Sequence, residues 1–342
     1  MEHKIYILGD VEMGRGDIMD DFTDDHLLVD FIEKITPSQH GEKVTLVLLG
    51  DIFDFLKMAY KGQYPRYITE EISLWKLDEI IISHSAVFKA LKNFLDNPHC
   101  EIKFIIGNHD PDLAWPAVQE KIRETLRHRD QIEFGFNYVT DTIHAEHGHQ
   151  TDPFFRTDTR RPIIRYDGQE ILNLPFGAHA CFTHLVHIKK KFPREESLYP
   201  NPLAMAKHNE YRKMSKKATL DLIAKSLILE PLLHPFNPTY RAPYLRFIKH
   251  GLKYGTNVVD DEKFIKDRVQ KIIRKNPGKQ VYVMAHAHVL SQTRIAQKHV
   301  FVTDTWRDEY DLNREERKKP KSYVEISCKN DKLNSAELKL IE

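Results

Sequence analysis

The sequence predicts an α/β protein with a layered core, and three observations predict it. Short apolar runs rich in β-branched residues alternate with stretches of helical periodicity, the pattern that layered α/β cores require. Five separated stretches end in side chains able to bind metals, and four of the five follow such a run. The tail alternates apolar and polar residues, as half-buried strands do.

Taken in chain order, Ile5 to Leu8, Val44 to Leu49, Ile102 to Ile106 and Val281 to Met284 read as buried strands, each followed within a residue or two by Gly, Ala, Asp or His. Between them, Asp20 to Ile35 and Ile68 to Phe94 carry apolar residues at helical spacing. Asp20, Asp21, Asp24 and Asp25 suit the positive end of the first of these helices. Ser322 to Cys328 and Ala336 to Ile341 read as two closing strands. No internal repeat or low-complexity tract interrupts the pattern.

The 342 residues suffice for one large domain or a domain with a substantial insertion. Three cysteines, Cys100, Cys181 and Cys328, are too irregularly spaced for a disulfide framework or a zinc ribbon, which points to a reducing compartment. Met1 to Leu8 lead into a charged loop without the apolar core and cleavage site of a secretory signal, and no apolar run is long enough to span a bilayer. The expectation is a cytoplasmic protein whose contact with the inner membrane face, if any, is peripheral.

Charge is unevenly distributed. Residues 154–280 hold 25 Lys and Arg against 12 Asp and Glu, whereas the remainder holds 26 against 38. A basic, proline-punctuated helical cap (154–280) is therefore expected between a first core segment (1–153) and closing core strands (281–342). Within the cap, Leu220, Ile223, Ala224, Leu227 and Ile228 share a helical face, either buried inside the cap or offered to an acyl chain or a partner.

The five polar stretches are Gly9-Asp10-Val11-Glu12, Gly50-Asp51-Ile52-Phe53-Asp54, Gly107-Asn108-His109-Asp110, His147-Gly148-His149 and His286-Ala287-His288. Carboxylate, amide and imidazole at converging strand ends suit a pair of divalent cations. The alternative, strand-end polar groups satisfied only by backbone hydrogen bonds, has to account for five such blocks in one order.

In order and spacing these blocks resemble the five-block signature of the calcineurin-like metallophosphoesterases. The resemblance runs from Asp10 to about Trp306, where Thr303-Asp304-Thr305-Trp306 is similar to a strand that often follows the last block. Gly14 to Asp17, Asp20 to Phe22 and the helical insertion are most similar to the UDP-2,3-diacylglucosamine pyrophosphatase-like branch. The resemblance implies an α/β/β/α metallophosphoesterase sandwich with a helical cap. It also implies two divalent ions, one held by Asp10, the position of Glu12, Asp51 and His288, the other by a bridging Asp51 with Asn108, His147 and His286. His109 would donate a proton to the departing oxygen, and Asp54 would orient it.

Two departures stand out. Glu12 occupies the place of a usual histidine, giving a harder, more negative position that favours Mn²⁺, Mg²⁺ or Fe²⁺ while leaving Zn²⁺ open; Glu12 would either bind a metal directly or hold a metal-bound water. Ala285 occupies the place of a usual glycine and asks for ordinary backbone angles or more room.

Arg15, His149, Arg156, Arg160 and Arg161 follow the blocks and are candidate phosphate contacts, with solvated surface positions as the alternative. Lys189-Lys190-Lys191 and Arg317-Lys318-Lys319 read as charged turns. The function implied is hydrolysis of a phosphodiester or pyrophosphate bond in a small anionic, lipid-linked nucleotide type of substrate, by attack of a metal-bridging hydroxide. A metal-dependent nuclease acting on DNA or RNA, its basic cap tracking a phosphate backbone, is the alternative. A scaffold that kept the fold and lost the chemistry is the third reading, supported by Glu12 alone.

Overall fold

Side chains on neighbouring positions of the central strands point to opposite faces, and both faces are apolar, so each sheet must be covered twice. The computed structural model describes residues 2–37, 41–181, 186–199, 201–222, 224, 232, 262–313 and 317–341. The first sheet runs β16 (Lys332–Ile341), β15 (Lys321–Lys329), β1 (Glu2–Leu8), β2 (Lys43–Leu49), β3 (Cys100–Ile105) and β4 (Ile132–Gly135), with β1 to β4 parallel. The second runs β11 (Ser291–Ile295), β12 (Lys298–Val302), β10 (Val281–Met284), β6 (Ile143–Glu146) and β5 (Tyr138–Val139), with β12, β10 and β6 parallel.

Tyr6, Leu8, Leu46 and Leu48 face α1 (Asp25–Ile35), α2 (Glu70–Ser83), α3 (Ser85–Leu95) and α4 (Pro116–Leu126), which supply Phe31, Leu77, Phe88, Phe94 and Ile122. The alternate residues Ile5, Ile7, Val47, Leu49 and Ile105 pack between the sheets on Ile143, Ala145, Val281, Val283 and Phe301. Beyond the second sheet, Tyr282, Met284, Val300 and Val302 meet Val269 and Ile272 of a further helix, Glu262–Lys275. The layers are thus α/β/β/α, and this last helix covers the second sheet.

The region between β6 and that helix carries the hairpin β7 (Ile163–Tyr166) and β8 (Gln169–Leu172), then α5 (Phe176–Ala180), α6 (Val186–Lys191), β9 (Leu198–Tyr199), α7 (Asn201–Lys207) and α8 (Asn209–Leu222). The strand β9 joins β13 (Tyr310–Asp311) and β14 (Arg317–Lys318) in a small sheet, tying this region to the chain after the last polar block. Of the apolar face expected here, Leu220 is exposed, whereas Ile223, Leu227 and Ile228 lie outside the described residues. Among the described residues no helix is long and apolar enough to cross a membrane.

Several elements differ from expectation for local reasons. The helix expected from Asp20 begins at Asp25, because the Asp20 carboxylate accepts hydrogen bonds from the amides of Gly14 (3.0 Å), Gly16 (2.7 Å) and Phe22 (3.0 Å), closing a loop before the helix. The long helix expected over 68–94 is broken at His84, whose φ of −110° and ψ of 34° leave the helical region. Its ring lies 3.0 Å from Asp20 and 2.7 Å from Asp25. Lys189, expected in a charged turn, is buried in α6 against Asp21 and Glu196, and Lys318 pairs with Asp24 and Asp308 at 2.8 Å.

Burial works to lower the His84 pKa, but the hydrogen bonds and charges of Asp20 and Asp25 lift it to about 9. The folded state therefore holds a proton that the unfolded chain, with an imidazole near 6.5, gives up first. That stability is complete below pH 6.5 and fades as pH rises through 9. His84→Gln should cost about 2 kcal/mol at pH 6, with the deficit shrinking toward pH 9.5, read as denaturant midpoints of both proteins across that range.

Candidate metal centre

All five polar blocks leave the C-terminal ends of parallel strands: β1, β2 and β3 in the first sheet, β6 and β10 in the second. The fourth block was the one without a legible strand. Its strand β6 reads Ile143-His144-Ala145-Glu146, with polar side chains breaking the apolar run.

The backbone at these ends is unusual in a consistent way. Asp10 (φ 54°), Glu12 (58°), Asp51 (51°), His286 (70°) and His288 (51°) all occupy the left-handed region. That region costs a residue with a Cβ on the order of 1 to 2 kcal/mol, and it persists only where surrounding contacts overdetermine it. Those contacts are present: Asp10 N donates to Gly50 O (3.0 Å), Glu12 N to Asp51 O (2.8 Å) and Met13 N to Ile52 O (2.9 Å). The Asp10 carbonyl accepts from Trp306 N (2.8 Å) and from the Thr305 hydroxyl (2.9 Å), which gives the Thr-Asp-Thr-Trp segment a structural task.

Two clusters result. At one end, His147 Nε2 lies 3.1 Å from Asp51 Oδ2 and 3.2 Å from Asn108 Oδ1, while its Nδ1–H donates to Leu49 O at 2.9 Å. Ligand atoms of Asp51, His147 and His286 lie within 4.8 Å of one another. At the other end, His288 Nε2 lies 3.4 Å from Asp10 Oδ1 and 3.5 Å from Glu12 Oε1. Asp10 also reaches across, with Oδ1 3.8 Å from His147 Nε2 and Oδ2 accepting from His286 N at 2.9 Å. Asp10 Oδ1 is buried with no hydrogen-bond partner. A buried carboxylate oxygen with no hydrogen bond, facing imidazole nitrogens at 3.4 and 3.8 Å, is a ready ligand for a cation, so the residues fit divalent metal.

His109 sits beside both clusters. Its amide donates to Asp51 Oδ1 (2.7 Å) and its Nδ1 lies 3.0 Å from Asp54 Oδ1. Burial opposes a charge on the ring, but Glu12, Asp51 and Asp54 raise its pKa to about 10. Asp51 is held well below the usual carboxylate range despite its burial, by His147 and His109. The fourth residue of the third block, Asp110, accepts from Gly107 N (2.6 Å) and Ile52 N (2.9 Å) and so fixes the loop.

The candidate substrate contacts separate. His149 is buried, with its ring centroid 5.3 Å from that of His147, so it is no surface residue. Arg15 is engaged by Glu79 (2.7 Å) and lies over the Trp75 ring, and Arg161 pairs with Asp158 at 3.3 Å. Arg156 and Arg160 are exposed.

Sequence reasoning missed several buried charges around the site. Asp152, which accepts from Arg268, lies 3.4 Å from His286 Nε2. Lys57 lies within ion-pair distance of Glu12, Asp21, Asp54 and Glu196, and Arg307 joins Glu12 to Glu309. The available signal for Lys57 was its place three residues after Asp54, in an apolar Phe-Leu setting.

Ala285 has an ordinary backbone, and its methyl occupies the space left by Gly9, where a Cβ would come within 2.9 Å of it. Gly107 is more constrained, because a Cβ there would lie 2.1 Å from Asp51 Oδ1 and 2.4 Å from Asp51 N.

No family model matches this chain, and no curated protein does. Among solved structures it is similar to a dimetal phosphatase from Danio rerio, with 11% identity over 99% of this chain and 95% of that one and a TM-score of 0.37. A conserved Streptococcus pneumoniae protein described as a predicted phosphoesterase matches at 6% identity over 100% and 99%, with a TM-score of 0.30. A Staphylococcus aureus protein assigned as a 5'-nucleotidase matches at 12% identity and a TM-score of 0.35, this chain covering 54% of its length. At such low scores and identities none of them carries an argument about this chain, whose site speaks through its own geometry.

Gly107→Ala should therefore push the Asp51 carboxylate out of the cluster. The expected result is a loss of about 1 to 3 kcal/mol of stability, together with weakened Mn²⁺ binding measured by calorimetry.

Proposed function

We propose that the protein is a metal-dependent phosphoesterase acting on a small anionic substrate. The observation that carries the reading is the gathering of Asp10, Asp51, Asn108, His147, His286 and His288 at adjoining strand ends, with the Asp10 Oδ1 oxygen buried and without a hydrogen bond. When bound there, divalent cations supply Lewis-acid activation of water and charge stabilisation at phosphorus.

The chain's own residues supply the remainder. Asp51, held ionised, and the neutral Asn108 oxygen set the charge of one end. His109 keeps its proton near neutral pH and commits Nδ1 to Asp54, which leaves Nε2 to donate to a departing oxygen. The buried His149 and the exposed Arg156 and Arg160 are the candidates for contact with the rest of an anionic substrate. The division into a core and a basic cap over 154–280, the preference for Mn²⁺ and the choice of a lipid-linked nucleotide belong to the same proposal.

With Mn²⁺ and an aryl phosphodiester, the wild type should turn over substrate, Asp51→Asn should lose nearly all activity and His109→Ala should lose about 10²- to 10⁴-fold in kcat. Unchanged turnover in both variants would overturn the proposal.

A further inference from the structure

The two ends of the cluster differ in their counter-charges. Among the described residues, Asp10 and Asp51 form ion pairs only with histidines. Glu12 is treated differently. Its Oε2 accepts from Lys57 Nζ at 2.9 Å and from Arg307 Nη1 at 3.2 Å, and its Oε1 lies 3.3 Å from the same Arg307 nitrogen. All three side chains are buried.

Both cations are locked in place. Lys57 Nζ also meets Asp21 Oδ2 (2.8 Å), Asp54 Oδ2 (2.9 Å) and Glu196 Oε2 (2.9 Å). Arg307 Nη2 donates to Glu309 Oε1 at 2.8 Å. Glu12, Asp54 and His109 also lie close enough together to suggest a metal triad, but the ammonium of Lys57 already lies within 2.9 Å of both carboxylates.

The imidazoles of the two ends are held by different partners. His147 donates Nδ1–H to Leu49 O, which aims its Nε2 at Asp51 Oδ2 and Asn108 Oδ1. Arg307 Nη2, which can only donate, lies 2.9 Å from His288 Nδ1. Glu309 Oε1 stands 3.5 Å from the same nitrogen, so Arg307 and Glu309 together hold the ring whose Nε2 faces Asp10 and Glu12.

We infer that Lys57 and Arg307 take the place of metal charge at Glu12, so that the Asp10–Glu12–His288 end binds a divalent cation much more weakly than the Asp51–Asn108–His147–His286 end and the two fill in separate steps. The physical cause is simple. A dication approaching Glu12 competes with two fixed monocations for the same oxygens, in a buried setting where screening is weak. Among the described residues no lysine or arginine pairs with Asp10 or Asp51, and Arg268, which lies beyond His286, is paired with Asp152 instead. This rests on the metal-dependent reading above and concerns only how the charge is divided within it.

Titration of the metal-stripped protein with Mn²⁺ by calorimetry, with electron paramagnetic resonance at one equivalent, tests it. The expected result is one tight ion, a second at least about tenfold weaker, and an isolated mononuclear spectrum at one equivalent. Arg307→Gln should narrow that gap, and Arg307→Lys should restore part of it, whereas a purely structural role would lower the melting temperature of Arg307→Gln and leave the gap unchanged. Two ions entering in one step with a spin-coupled spectrum in the wild type would overturn the inference, as would an unchanged gap in folded Arg307→Gln. If neither variant folds, the wild-type titration still decides between one step and two. Absence of any Mn²⁺ binding would instead overturn the metal-dependent reading itself.

Discussion

Five candidate ligands held with left-handed backbones are the constraint on which the rest of this structure depends. No single one of Asp10, Glu12, Asp51, His286 and His288 would adopt that conformation by its own preference. Asp10, Glu12 and Asp51 are held by crossed backbone hydrogen bonds between the loops after β1 and β2 and by Trp306 and Thr305 on the Asp10 carbonyl, while His286 N donates to the Asp10 carboxylate and Lys319 donates to the His288 carbonyl. Those loops are anchored in turn by the two apolar interlayers, so the packing of residues such as Ile7, Val47 and Val283 bears on the placement of side chains at the rim. Strain of this kind collects where a fold must aim side chains at a common point.

Charge is the second organising quantity. The site gathers carboxylates that would repel one another in a dry interior, and the protein answers them in two ways. Around Glu12, Asp21, Asp54 and Glu196 it uses its own Lys57, Lys189 and Arg307. Around Asp10 and Asp51, among the described residues, it uses only imidazoles, and Asp10 Oδ1 is left without a hydrogen bond. Lys189 and Glu196 come from the segment between the fourth and fifth blocks, so the internal ion network also fastens that segment to the body through Asp21 and Lys57.

Much of this was legible in the sequence, and the reasons are physical. Strands such as β1, β2 and β10 are continuous apolar runs because both of their faces are covered. The glycines and polar residues that follow them mark strand ends. The strand β6 was hidden because His144 and Glu146 share its outer face and pair with each other at 2.8 Å. The break at His84 was hidden because its cause, Asp20, lies 64 residues away in sequence. The contacts of Lys57 with Glu196 and of Arg307 with Glu12 were hidden for the same reason, since ion pairs carry no periodic signal. Arg15 and Arg161 show the converse case: a suggestive position beside a block, occupied in the fold by a local pair.

The most direct test of the central claim is anomalous diffraction from a crystal soaked in Mn²⁺, recorded on either side of the manganese absorption edge. The account predicts the strongest difference peak within bonding reach of Asp51, Asn108, His147 and His286. A strongest peak elsewhere, or none among these side chains at saturating Mn²⁺, would contradict it.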